Sequence, residues 1–423
     1  MKYKIIKPIG LFLLLVLYFT LNAQAQDTLH ATLPEMEKQF IERNLGLLSE
    51  KYNIDIAKAQ AIQAKLYNNP NLSFTGAIYN TQEKKLFDIS DKAGEYIVGL
   101  QQLVRLAGKR NKEIQLAETT IRLSENRFFD LLRTLRFSLR SNFYQLYFLQ
   151  NSINAYAVQI TNLEKLNTIY QDLLGKGTVT LKDAARIKSF LYTLKAEQAA
   201  LQNQANDVNA ELQLLIQNNS VYIAPIADSL IFSFNVGHYS LPSLVDSALT
   251  NRFDLKISEA NILSSQQNYA LQKALAVPDI SIGAQFDKRG SFVENASFFT
   301  VAIDLPFFNQ NQGNIKAAKL GIDQAKTLLL RQQTIVENEV QKAYTKALNT
   351  DKMIRSFDAG FKNELLKLLF GITENFQKRN ISLLELTDFY ASYKANIIQL
   401  NQLQNERVQA IETLQFVVGK PIF

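Results

Sequence analysis

The second half of this chain repeats the first, and no single motif constrains it as much. Thr32-Leu33-Pro34 returns as Ser240-Leu241-Pro242 and Pro70 as Pro278, both 208 residues on. Val98 matches Val301 at an offset of 203, and Thr180 to Ile216 matches Ser382 to Val418 at 202. Solenoid units run about 20–50 residues, so a period this long marks a duplicated structural half.

Proline placement divides each half. None of the eight prolines lies between residues 71 and 224 or between 307 and 420. Proline breaks helix interiors, so these two stretches admit very long helices. From Phe128 the apolar residues Leu132, Leu135, Leu139, Phe143, Leu146, Leu149, Ile153, Tyr156, Ile160 and Leu163 follow at steps of three and four. That is the seam of a helix packed on a neighbour. The spacing predicts one helix over about 108–175, roughly 100 Å long at 1.5 Å per residue, and a matching one over about 312–378. Gly175-Lys176-Gly177 supplies a stop for the first. Thr180 with Asp183, and Ser382 with Glu385, then hold capping-box spacing at the start of return helices over about 181–217 and 383–418. Each half therefore carries a long helical hairpin with unequal arms.

Before each long helix, two short segments alternate strictly. Leu72, Phe74, Gly76 and Ile78 interleave with Ser73, Thr75, Ala77 and Tyr79; Tyr96, Val98 and Leu100 interleave with Ile97, Gly99 and Gln101. In the second half, Ile280 to Asp287 and Phe298 to Leu305 do the same. Period two with aromatic residues in or beside the segments fits a membrane barrel strand, apolar outward and polar inward, and equally fits a strand pair in a soluble sheet. Polar loops over 80–95 and 288–295 join the strands, and the first is the longer. That difference accounts for the drop in offset from 208 to 203.

Composition narrows the chemistry. There is no Cys and no Trp, and only His30 and His238 carry imidazole. Disulfides, thiolate metal sites, Cys nucleophiles and a lipidated N-terminal Cys are excluded, and no catalytic histidine constellation can be assembled. No cofactor or metal site is expected, and no enzymatic activity. Residues 1–25 have the pattern of a secretory signal: Lys2, Lys4 and Lys7, an apolar run from Leu11 to Leu21, and Ala23-Gln24-Ala25 for cleavage after Ala25. Loss of the three lysines takes the formal net charge from +7 to +4, which makes no case for nucleic acid. The expected organisation is a first repeat over 26–220, an equatorial linker over 221–240 and a second repeat over 241–423.

Four strands cannot close a barrel, and an open edge does not survive in lipid. Several copies must contribute, and three give twelve strands with room for a lumen. The order helix, strand pair, long helix, tip and return helix, twice over, resembles the TolC-like outer membrane efflux protein family. The matched Pro70 and Pro278, the helix entries Gly108-Lys109-Arg110 and Gln312-Gly313-Asn314, and the two tip turns carry the resemblance. The turn from Arg379 to Glu385 is similar to the heavy-metal efflux branch of CzcC-like and CusC-like members. The resemblance implies a mostly helical homotrimer, a 12-stranded barrel in the outer membrane and a helical tunnel in the periplasm. It also implies a periplasmic adaptor and an inner-membrane pump of the RND type as partners, with heavy-metal cations as a candidate cargo.

Within that frame, Glu385 and Asp388 share a helix face and are the expected periplasmic gate. The ordinary alternative makes Glu385 a capping acid and Asp388 a solvated residue. Adaptor contact falls to Gly177, Thr178, Val179, Thr180 and Leu181 and to Asn380, Ile381, Ser382 and Leu383. Val179 and Ile381 are expected to be exposed, with a hydrophobic staple as the competing account. Gln285, Asp287 and Asp304 are expected to face the barrel lumen. Two other roles fit less well: a conduit for type I protein secretion, which uses the same fold, and a soluble periplasmic coiled-coil adaptor, which needs one hairpin rather than two.

Overall fold

A computed structural model of the chain describes residues 27–81, 83–90, 93–227, 233–289, 294–357 and 360–421. The expected secretory segment 1–25 and its expected cleavage site lie outside them. The chain orders as β1 (Asp27–Thr32), α1 (Leu33–Arg43), α2 (Leu45–Ala64), β2 (Asn71–Gly76), β3 (Tyr79–Asn80), β4 (Lys85–Leu86) and β5 (Tyr96–Val104). Then come α3 (Lys109–Gly175), α4 (Leu181–Ile216), β6 (Val221–Ile226), a 3-10 turn (Val236–His238), α5 (Leu241–Asn251) and α6 (Phe253–Leu275). The remainder is β7 (Ile280–Arg289), β8 (Glu294–Ile303), α7 (Gln312–Arg355), α8 (Phe361–Gln377) and α9 (Leu383–Val418). The fold is mostly helical with a small sheet part.

Contacts divide the chain into two units. One comprises the described residues of Met1–Leu45, Arg133–Leu244 and Val340–Phe423; the other comprises Gly46–Leu132 and Val245–Glu339. In the first unit, α3, α4, α8 and α9 share one core. Leu163, Ile187, Leu194, Leu369, Leu386 and Tyr390 are all fully buried in it. Burying a large apolar side chain contributes about 1.5–3 kcal/mol, so this seam holds both hairpins together. A short parallel ribbon joins β1 to β6, with Asp27 opposite Val221. In the second unit, one antiparallel sheet runs β2-β5-β7-β8, leaving β2 and β8 as its edges. The 80–95 loop adds a small hairpin of its own, β3 with β4.

The structure corrects the expected second long helix. α3 is unbroken over 67 residues, but its counterpart stops at Arg355 and restarts at Phe361. No proline is needed for this. The hydroxyl of Ser356 donates to the Met353 carbonyl, and Phe357 N–H donates to Ile354, tightening the last turn. Gly360 then takes the N-cap of α8, a residue with low helix propensity. Arg355, the last residue of α7, bonds the Asp351 carboxylate one turn back at 2.9 Å and the Phe234 carbonyl at 2.8 Å.

That same carboxylate accepts from Arg407 Nε at 2.7 Å, and both residues are buried. Removing one partner of such a pair strands the other charge, at a cost of about 3–5 kcal/mol. Arg407→Met should lower the denaturant midpoint of the detergent-solubilised protein accordingly. Arg407→Met with Asp351→Leu should recover most of that loss.

Candidate functional site

Two regions carry chemistry, one in each unit. The first is the pair of hairpin turns. Lys176 bonds Asp172 and Lys378 bonds Glu374, each at 2.6 Å and each in the last turn of its helix. One residue later, Gly177 has φ +69° and Arg379 has φ +61°. The chain then enters the return helix through a side-chain cap. Thr180 Oγ1 accepts from Asp183 N–H at 3.1 Å, and Ser382 Oγ accepts from Glu385 N–H at 3.2 Å. The two turns are thus built alike, except that a glycine fills the left-handed position in one and an arginine in the other. Left-handed backbone costs an L-residue about 1–2 kcal/mol, and glycine pays nothing.

Glu385 is exposed and its carboxylate is engaged. It accepts the Ser382 N–H at 2.7 Å, which completes the capping box. That bond holds Glu385 below the usual carboxylate range. The box is therefore intact above the ordinary glutamate range and is lost as acid crosses the lowered value. Asp388 differs: it is exposed, makes no hydrogen bond or ion pair among the described residues, and lines an open groove with Arg186, Ser189, Thr193 and Leu384. Of the two expected gate acids, Asp388 has neither carboxylate oxygen engaged among the described residues, whereas Glu385 has one tied to the Ser382 N–H.

The turn residues need a correction. Gly177, Thr178, Thr180, Asn380 and Ser382 are exposed as expected, and Leu383 is half-buried. Val179 and Ile381, expected to be exposed, are half-buried, and Ile381 packs on the four-helix core with Leu383. A staple-like role accounts for Ile381. The apolar side chains presented to solvent are Leu181, 70% exposed, and Leu384, 57% exposed. Leu384 was not singled out from sequence, because an apolar residue in a first helical turn reads as core. Below the turns, buried Tyr390 meets Thr373 hydroxyl to hydroxyl at 2.7 Å, linking α9 to α8.

The second region is the four-stranded sheet. Its register places Leu72, Leu100, Ala284 and Phe299 in one row across all four strands. Phe74, Val98 and Phe286 form the next row on the same face, and Ile282 pairs with Val301. Phe74 stacks on Tyr96 at 5.9 Å between ring centres. Many of these side chains are open to solvent: Leu72 is 73%, Phe74 65% and Phe299 74% exposed. The opposite face carries Ser73, Gly99, Gln285 and Phe298 in one row and Thr75, Ile97 and Asp287 in another. Gln285 and Asp287 therefore share the more polar face, while Asp304 is exposed just beyond the end of β8. At Gly283 on that face, a Cβ would come within 2.7 Å of the Leu100 carbonyl and 2.8 Å of Thr300 Oγ1.

No described helix is long and apolar enough to cross a membrane. Among the described residues no group of His, Cys, Asp or Glu could hold a metal ion.

Comparison with known proteins points one way. Residues 244–420 match the family model described as outer membrane efflux protein. The cobalt-zinc-cadmium resistance protein CzcC of Cupriavidus metallidurans is 23% identical over 298 residues, covering 67% of this chain and 64% of that protein. The chain thus spans just under two thirds of that relative's length. The fold is similar to the CmeC outer membrane channel of Campylobacter jejuni, with TM-score 0.72, 13% identity, and 92% of this chain and 85% of that one covered. It is also similar to CusC, with TM-score 0.70, 15% identity and 92% of each chain covered.

The turn geometry makes opposite demands on two matched positions. Gly177→Ala should destabilise by about 1 kcal/mol. Arg379→Gly should act in the other direction by a smaller amount, since glycine also gains freedom in the unfolded chain. Thermal melts followed by helical circular dichroism give both signs.

Proposed function

We propose, from the premise that the chain is a member of the outer membrane efflux protein family, that it is the outer membrane channel of a tripartite efflux system. The observation that carries this is the sheet: one face exposes a continuous apolar surface across four strands, and both edges are open. In water such a surface is a liability, whereas in lipid it is the outside of a barrel. Three copies close twelve strands, with Gln285, Asp287 and Asp304 toward the lumen. The two repeated halves of each copy then supply six similar hairpins around one pore. Conduction is passive, and the energy comes from an inner-membrane pump of the RND type working through a periplasmic adaptor.

The hairpin turns are the narrow end and the adaptor contact. Three Asp388 carboxylates make a ring of like charge, an arrangement that selects cations, with the capped Glu385 residues beside them. Leu181 and Leu384 offer the adaptor apolar area. The likeness to CzcC favours heavy-metal cations as cargo.

The protein should require detergent for release from the outer membrane and should run as three chains by native mass. Recovery in the soluble periplasmic fraction would overturn the channel. In planar bilayers, Asp388→Ala with Glu385→Ala should reduce cation preference and raise conductance. Of the single variants, Asp388→Ala should account for most of the change. Unchanged currents would remove the gate from these residues while leaving the channel in place.

A further inference from the structure

The connection between β2 and β5 reads as a polar loop in sequence, yet it holds large apolar side chains out in solvent. Ile78 and Leu86 are each 67% exposed, Phe87 70% and Ile89 68%. The connection is a built projection. Tyr79 of β3 pairs with Leu86 of β4, and Phe87 N–H donates to the Ile78 carbonyl at 2.9 Å. The Asn80 side-chain amide donates to the Ala93 carbonyl at 2.7 Å. Asp88 is buried, and its carboxylate accepts the Ser90 N–H at 3.0 Å. Gly94 lets the chain close on itself, since a Cβ there would stand 2.5 Å from the Ser90 carbonyl. Apolar groups fixed in such a scaffold are relieved of water only when something else covers them.

The place of the hairpin says what covers it. α2, α3, α6 and α7 all join the sheet at its Asn71, Val104, Ile280 and Ile303 end. The hairpin stands at the other end. Aromatic rings gather there: Phe74 stacks on Tyr96, and Tyr96 lies 6.4 Å from Phe286 between ring centres. Rings at the limit of an apolar strand surface mark the level where hydrocarbon gives way to headgroups. Ile78 follows Leu72, Phe74 and Gly76 at steps of two, in the series of the apolar face.

Charge completes the pattern. Lys84 and Lys85 precede Leu86 and Phe87, and both lysines are exposed. Lys84 makes no ion pair among the described residues, and Lys85 reaches Glu83 only at 4.0 Å with both side chains open to solvent. Ammonium groups beside exposed apolar and aromatic side chains suit a surface that lies on anionic headgroups.

We propose that the β3-β4 hairpin is a foot on the outer leaflet, with Leu86, Phe87 and Ile89 among the upper acyl chains and Lys84 and Lys85 on the phosphates of anionic lipid. The inference rests on the lipid-facing sheet proposed above. A lid folded over the pore mouth is the competing seat for this hairpin. It would gather Lys84 and Lys85 of every copy at one axis, where like charges repel. Phosphates neutralise them instead, and the apolar series that Ile78 continues belongs to the lipid side.

The chain contains no Trp, so Phe87→Trp in the full-length protein gives a single reporter. In vesicles of phospholipid brominated in the acyl chains near the headgroup, its emission should be mostly quenched, and aqueous iodide should remove little. Quenching by iodide alone would leave the hairpin in water, and quenching by neither would place it against other copies; either result overturns the foot. Phe299→Trp, on the apolar face of the sheet, separates this from the channel reading. Bromolipid quenching there but not at Phe87→Trp overturns the foot alone, and quenching at neither position overturns the lipid-facing sheet itself. Replacing phosphatidylcholine with phosphatidylglycerol should deepen the quenching of Phe87→Trp, and adding Lys84→Glu with Lys85→Glu should abolish that gain. A gain that survives the charge reversal would overturn the contact with anionic lipid.

Discussion

A strand at the edge of a sheet carries N–H and C=O groups with no partner, and hydrocarbon offers none. Much that is distinctive about this chain follows from having four strands with an apolar exposed face and two such edges. Four strands are too few to curl round and satisfy their own edges. On the channel reading proposed above, other copies supply the missing ladder. On that reading folding and assembly are coupled, because the surface that makes the sheet unsuited to water is the one that a closed barrel would turn outward. The helices inherit this geometry, because each leaves or enters the sheet at a fixed place in the strand order.

The hairpins answer to a different demand. Their core is a four-helix seam in which Tyr390 and Leu386 of α9 meet residues of α3, α4 and α8, so the two turns are held by common packing. A solute-facing charge on such a structure must be spared from structural duty. Glu385 is bound to its own helix start, whereas Asp388 is not. The difference separates two acids that a sequence presents as equivalents.

Much of this was legible beforehand, for physical reasons. Strict alternation in residues 72–76 and 280–287 records two different surroundings on the two faces of a strand, and the register returned those faces. The long helices were legible because proline and glycine are scarce where continuous hydrogen bonding is required. The interruption after Arg355 was not legible. It is marked by one serine hydroxyl turning back on its own helix and by a glycine at the next N-cap, with no proline to announce it. The half-burial of Ile381 was hidden for a different reason: whether a turn residue is covered depends on what the neighbouring hairpin brings to it. Leu384 was missed because exposure cannot be read from a residue type that is usually buried.

Gly283 carries a consequence for strand spacing. A methyl group there would collide with the Leu100 carbonyl and with Thr300, so the polar side of the sheet has no room for side-chain bulk at that point. Any residue larger than glycine would have to push β7 away from its neighbours, since one obstacle is the backbone of β5 and the other a side chain of β8. The ladder that joins β5 to β7 is therefore held to a backbone spacing that only a residue without a side chain permits.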